Sequence, residues 1–170
     1  FSDLENRVPE CYKERVPYTY FKKSHVKTGN RFVTIDMVLA GFQSLRHLDA
    51  ELVDYKWDWL EFASQFTSHQ ALMELKDLRH LILGKCNRNI QHSFERMVMD
   101  RLLKCLFSGG LFMESDLVSY HLDDVVLRLP DDYECCEFIQ VLIDRDDFLK
   151  KIRFRIEVWE LKELCSERGW

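Results

Sequence analysis

Residues 151–159, Lys-Ile-Arg-Phe-Arg-Ile-Glu-Val-Trp, decide the fold class of this 170-residue chain. Ile152, Phe154, Ile156 and Val158 alternate with Lys151, Arg153, Arg155 and Glu157, which is the two-residue period of a strand with one covered face. The same stretch fits a helix, because Phe148, Ile152, Ile156 and Trp159 recur at three- and four-residue steps. Its length and the continuing Leu161, Leu164 and Cys165 favour the helix. On that choice the fold is mainly α, a single helical-bundle-like domain of about six to seven helices with a short N-terminal β-hairpin. On the other, residues 151–159 pair with that hairpin and the fold is α+β.

Working back from there, DYECCEFIQVLI reads as a helix started by Asp131 or Asp132 and apolar nearly all round, hence buried. Before it, SDLVSYHLDDVVLRLP reads as a helix with Ser115 as N-cap. Its covered face would be Val118, Leu122, Val125 and Leu129, and Pro130 bars continuation. Ser68–Gly110 reads as a helical hairpin. Its first arm carries Leu72, Leu75, Leu78 and Ile82 between a Ser68 cap and a Gly84 stop. Its second carries Ile90, Phe94, Met97, Val98 and Leu102 and ends at Gly109-Gly110.

Upstream, Thr34 is expected to cap a helix with Ile35, Val38, Phe42 and Leu45 on one face, and Gly41 inside it predicts a close crossing with another element. Leu48, Leu52, Tyr55, Trp59, Phe62 and Phe66 form one apolar stripe, with Val53, Trp57 and Leu60 on a second side. A helix apolar on two sides belongs in the middle of a bundle, so 48–66 is the expected central helix. Residues 1–33 are set apart as a basic arm or hairpin turning at Lys27-Thr28-Gly29-Asn30, and 34–170 form the helical domain.

Apolar residues make up 46% of the chain, with only six Gly and three Pro, a balance that excludes a disordered chain or a sandwich of many tight turns. No apolar run reaches the length of a membrane span, so no membrane association is expected. The first sixteen residues show neither a basic nor an apolar leader region, so no signal peptide is expected. Cys135 and Cys136 are adjacent, and Cys86, Cys105 and Cys165 sit among apolar neighbours in expected helices. That placement suits free thiols in a reducing, intracellular setting, cytoplasm or nucleus.

The net charge of −5 is segregated. Residues 109–149 hold eleven acids against two Arg, whereas 67–108 hold seven Lys or Arg against four acids. An acidic chain of this kind does not coat nucleic acid in bulk, but it can offer a local basic face.

No Cys or His spacing matches a zinc clamp, and no phosphate loop or nucleophile elbow occurs, so no metal, no cofactor and no catalytic residue is expected. Arg88, His92 and Arg96 form an i, i+4 row on the second arm of the hairpin, which Lys85 extends. With Lys22 and Lys23 of the aromatic-basic run Tyr18–Lys27, these are the candidate binding residues. The expected role is non-catalytic: an intracellular protein–protein interaction or assembly module, hetero- or homo-oligomeric, with charge-segregated faces. Two alternatives use the same row. One is an RNA- or single-strand-binding helical protein. The other is a metal-free ribonuclease in which Arg88 holds a phosphate while His92 moves a proton.

Overall fold

The computed structural model describes residues 20–21, 26–86, 88–129 and 136–162. It corrects the mainly helical expectation: a five-stranded sheet in the order β1-β3-β4-β2-β5 accompanies the helices, so the fold is α+β. The described residues fall into two compact units, one of residues 37–100 and one joining 20–36 to 101–162.

In the second unit, strand β2 (Arg31–Met37) takes residues expected to begin a helix at Thr34. Val33, Ile35 and Met37 are buried at every second position, the signature of a strand rather than of a helical stripe. It pairs residue for residue with β4 (Asp124–Arg128), from Phe32 opposite Arg128 to Asp36 opposite Asp124. Strand β3 (Leu117–Tyr120) pairs with β4 through a bulge between Leu117 and Ser119, and the His121 N–H closes the turn on the Asp124 carbonyl at 2.9 Å. The helix expected over 115–129 is therefore a β-hairpin. Val125 and Leu127 both bury completely, and β-branched neighbours favour a pleated surface.

Residues 151–159 take the strand alternative. Strand β5 (Phe154–Glu160) follows one 3₁₀ turn at Leu149–Lys151 and lies beside β2 at the sheet edge. The Gly29 N–H donates to the Leu161 carbonyl at 2.8 Å, and the Leu161 N–H donates to the Asn30 carbonyl at 3.1 Å. Trp159 Nε1 donates to Thr34 Oγ1 at 2.8 Å, and Arg155 meets Asp36 at 2.7 Å. These contacts descend β5 as they ascend β2, so the pair is antiparallel. The turn at Lys27–Asn30 forms, with Gly29 at φ 83°, and residues 22–25 of the expected hairpin lie outside the described residues. Strand β1 (Tyr20–Phe21) pairs with β3.

In the first unit, helix α1 (Ala40–Leu48) starts only after Leu39, which sits at φ 53° and breaks the chain between strand and helix. Gly41 lies at a close crossing, as its place in the sequence predicts. A Cβ there would stand 2.9 Å from Gln91 Oε1, and Gln91 Nε2 is committed to the Leu83 and Cys86 carbonyls at 2.7 and 2.8 Å.

The long central helix expected over 48–66 is absent. A 3₁₀ turn at Ala50–Val53 runs into Asp54 and Tyr55, both left-handed at φ 48° and 57°. Two consecutive left-handed residues end any right-handed helix. Helix α2 (Trp59–Ala63) then restarts behind Asp58, whose carboxylate accepts the Glu61 N–H at 2.8 Å. Only part of that pattern is interior: Leu48, Val53 and Trp59 are buried, and Val53 and Trp59 pack with Phe42, Leu45, Ala63 and Leu83 in a core cluster.

The helical hairpin is three helices: α3 (Gln70–Glu74), α4 (Lys76–Gly84) and α5 (Arg88–Ser108). Helix α5 buries Ile90, Phe94, Val98 and Leu102 as expected, and Gly110 follows its end at φ 73°. Ser68 caps nothing, since α3 begins behind His69. In the second unit, α6 (Cys136–Arg145) buries Ile139, Leu142 and Ile143 but leaves Val141 exposed, so it is one-sided rather than apolar all round. Among the described residues no helix is long and apolar enough to cross a membrane.

Candidate functional site

The basic row forms on the first half of α5 and at the end of α4. Lys85, the C-cap of α4, and Arg88 are exposed, while His92 and Arg96 are half-buried. Arg88 Nε donates to His92 Nε2 at 3.1 Å, so the two side chains are spent partly on each other. Arg96 Nε stands 3.8 Å from Asp100 Oδ2, one turn on. Lys22 and Lys23 lie outside the described residues. The row therefore presents Lys85 and Arg88 to solvent and keeps Arg96 beside a carboxylate.

Ahead of that row in the sequence the chain exposes what the sequence assigned to the core. Nine of the fourteen large apolar side chains exposed among the described residues fall between Leu52 and Ile82. Tyr55, Trp57 and Phe66 keep 67%, 64% and 74% of their surface in solvent. Helix α4 buries Leu83 but exposes Leu81 and Ile82, and Leu75 precedes it in the open. These residues share the segment with Lys76, Arg79, Lys85 and Arg88. Residues 76–96 hold five Lys or Arg against two acids. Arg46 lies 3.3 Å above the Trp57 ring, and burial lowers the Arg46 pKa. That stacking holds the indole in place while leaving most of it accessible. Hydrophobic periodicity could not have identified this surface, because the periodicity predicted the opposite burial.

The second unit carries an open cavity of ≈ 580 Å³ lined by Arg101, Lys104, Cys105, Ser108, Gly109, Leu142, Arg145 and Asp146. Arg101 Nε donates to Asp146 Oδ2 at 2.8 Å, and Asp146 Oδ1 accepts the N–H groups of Phe148 and Leu149 at 2.9 and 3.0 Å. Burial raises the Asp146 pKa, but the Arg101 hydrogen bond and then the Leu149 and Phe148 N–H groups outweigh it, holding the carboxyl below its ordinary range. A depressed carboxyl stabilises the fold above its unfolded pKa, and that contribution disappears as pH falls through the folded value. Asp146→Ala is therefore expected to cost about 1–2 kcal/mol near neutral pH, as loss of a capping carboxylate does. Urea titrations should show the gap between variant and wild type closing below about pH 4. The Cys105 thiol donates to the Leu142 carbonyl at 3.3 Å, and burial, reinforced by Asp146, pushes its pKa up against the pull of Arg101. A thiol held protonated is a poor nucleophile, so the cavity lacks the activated cysteine that covalent chemistry needs.

At the tip of the β3–β4 hairpin, donor atoms of His121, Asp123 and Asp124 lie within 4.8 Å of one another, the one such cluster among the described residues. Three donors fall short of the four of a structural zinc site, and His121 Nδ1 is 3.5 Å from Asp123 Oδ1. Burial and then Asp123 raise the Asp124 pKa.

No family model matches the sequence, and no curated protein and no solved structure matches the chain.

Proposed function

We propose that this protein is a non-catalytic interaction module that docks a partner protein on the exposed apolar and basic segment between Leu52 and Arg88. One observation carries the reading. Tyr55, Trp57, Phe66, Leu81 and Ile82 stand in solvent in a chain able to bury Phe42, Trp59 and Leu102 almost completely. Large exposed apolar surface marks association sites, and aromatic anchors contribute most of the energy there. The neighbouring cations give the partner its sign: a segment with apolar anchors flanked by acids fits beside Lys76, Lys85 and Arg88, which steer its approach. An intracellular setting belongs to the same reading. It rests on cysteines such as Cys86, whose thiol donates to the Ile82 carbonyl one turn back in α4.

Quantitative affinity capture from the source cells tests this by comparing wild type with Phe66→Asp/Leu81→Asp and with Lys85→Glu/Arg88→Glu. A stoichiometric protein should be retained by wild type and reduced at least tenfold by each double variant, with unfolding midpoints unchanged because all four side chains are exposed. Retention of a nuclease-sensitive nucleic acid lost only in the charge variant would favour the RNA alternative instead. Equal protein capture by all three forms would overturn the proposal.

A further inference from the structure

A cationic cavity forms where the basic stretch 67–108 meets the acidic stretch 109–149. Residues 109–149 carry eleven acids and only two cations, Arg128 and Arg145. Arg128 is neutralised by Asp116 at 3.0 Å. Arg145, in the last turn of α6, has no ion-pair partner among the described residues and lines the ≈ 580 Å³ cavity. Lys104, from α5, lines the same cavity, and it too has no ion-pair partner among the described residues. Arg101 completes the set, its guanidinium oriented by Asp146 at 2.8 Å and lying 5.2 Å from the Phe148 ring centroid. Three cations against one carboxylate leave two positive charges uncompensated around a single concavity.

The cavity also has donors and an apolar floor. The Ser108 hydroxyl, which now donates to the Cys105 carbonyl at 3.1 Å, is exposed and can turn outward. Leu142 is buried beneath the opening. Gly109 has no room for a side chain, since a Cβ would stand 2.7 Å from Leu142 Cδ1. Its bare backbone keeps that wall low. Arg145 in the last turn of α6 offsets the negative C-terminal end of that helix, whereas the last turn of α5 carries no cation. Arg101, Lys104 and the open volume exceed that need. The volume falls within the range of small-molecule sites, roughly 300–1,000 Å³. The side chains suit an anion with several oxygens, because arginine forks bind phosphate oxygens in pairs and lysine supplies a point charge.

We infer that this cavity binds a small phosphate-bearing molecule, with Lys104 and Arg145 holding the phosphate and Arg101, fixed by Asp146, forming the third contact. The site lies outside the docking segment and stands independently of the role proposed for it.

Titration calorimetry and backbone NMR of the whole chain with inorganic pyrophosphate test the inference. Lys104→Glu/Arg145→Glu, both exposed, is the probe variant, and Lys85→Glu/Arg88→Glu is the control of equal charge change in the other unit. Amide shifts should concentrate at 101–109 and 142–148 in wild type. The Kd should rise at least tenfold in the probe variant and less than twofold in the control. Shifts scattered over both units, equal weakening by both variants, or no saturable binding would each overturn it. If the probe variant has lost native amide dispersion, Lys104→Gln/Arg145→Gln replaces it and should still weaken binding at least fivefold. An unchanged Kd in that form also overturns the inference.

Discussion

Replacing Ile35 with proline is expected to unfold the sheet unit. Ile35 is fully buried, faces Val125 across the β2–β4 pair, and sits on a strand with β5 on its other side. Proline there removes a ladder hydrogen bond and forces its ring against a neighbouring strand, at a cost of about 3 kcal/mol or more. The lost side chain adds to that. The substitution also separates the two assignments of this segment. Had Thr34 capped a helix, position 35 would be its first residue, the one helical place where proline fits well. Urea unfolding with circular dichroism reads the outcome. Near-wild-type stability of Ile35→Pro would restore the helix, whereas Ile35→Val should cost only about 0.5–1.5 kcal/mol in either case.

The second large effect concerns the helical unit. Phe42→Ala is expected to cost about 3–5 kcal/mol, the range for deleting a buried aromatic ring. Phe42 is fully buried, edge-on to Trp59 at 6.4 Å and 5.9 Å from the Phe62 ring. Against a total stability of about 5–15 kcal/mol, that loss populates unfolded chain at ordinary temperature. Phe66, its neighbour in the aromatic chain at 5.2 Å from Phe62, is 74% exposed, and Phe66→Ala should stay within about 0.5 kcal/mol. Thermal melts of the two variants distinguish a side chain that holds the fold from one that the fold leaves in solvent.

What could be read from the residues follows from which signals were local. Gly41 and Gly109-Gly110 marked a crossing and a helix end because glycine is informative by itself, whatever surrounds it. The covered face of α5 was legible since Ile90, Phe94, Val98 and Leu102 repeat at every fourth residue through about three turns with nothing to interrupt them. The strands were misassigned where both periods fitted. Val118, Val125 and Leu129 lie at helical steps, yet Val125, Leu127 and Leu129 also alternate, and sheet pairing with β2 settled the ambiguity from more than eighty residues away. No local signal exposes such a partner.

The breaks at Leu39, Asp54 and Tyr55 were hidden for a different reason. Each is a left-handed residue without glycine, a conformation that local sequence disfavours and that surrounding packing must impose. Those breaks turned the expected central helix of 48–66 into short pieces and brought Tyr55, Trp57 and Phe66 to the surface. The exposed apolar segment was therefore invisible to the hydrophobic pattern, whereas the basic row of Lys85, Arg88, His92 and Arg96 was visible because α5 is regular. For the cavity the available signal was compositional: Arg145 is one of two cations in a stretch of eleven acids.

Hydrogen–deuterium exchange of the wild-type chain, free and bound to its captured partner, tests the docking surface most directly. Slowed exchange confined to peptides spanning 52–66 and 70–92 is the predicted footprint, with 101–146 unchanged. Protection absent from 52–92, or confined to the sheet unit, would contradict the assignment of that surface to the partner.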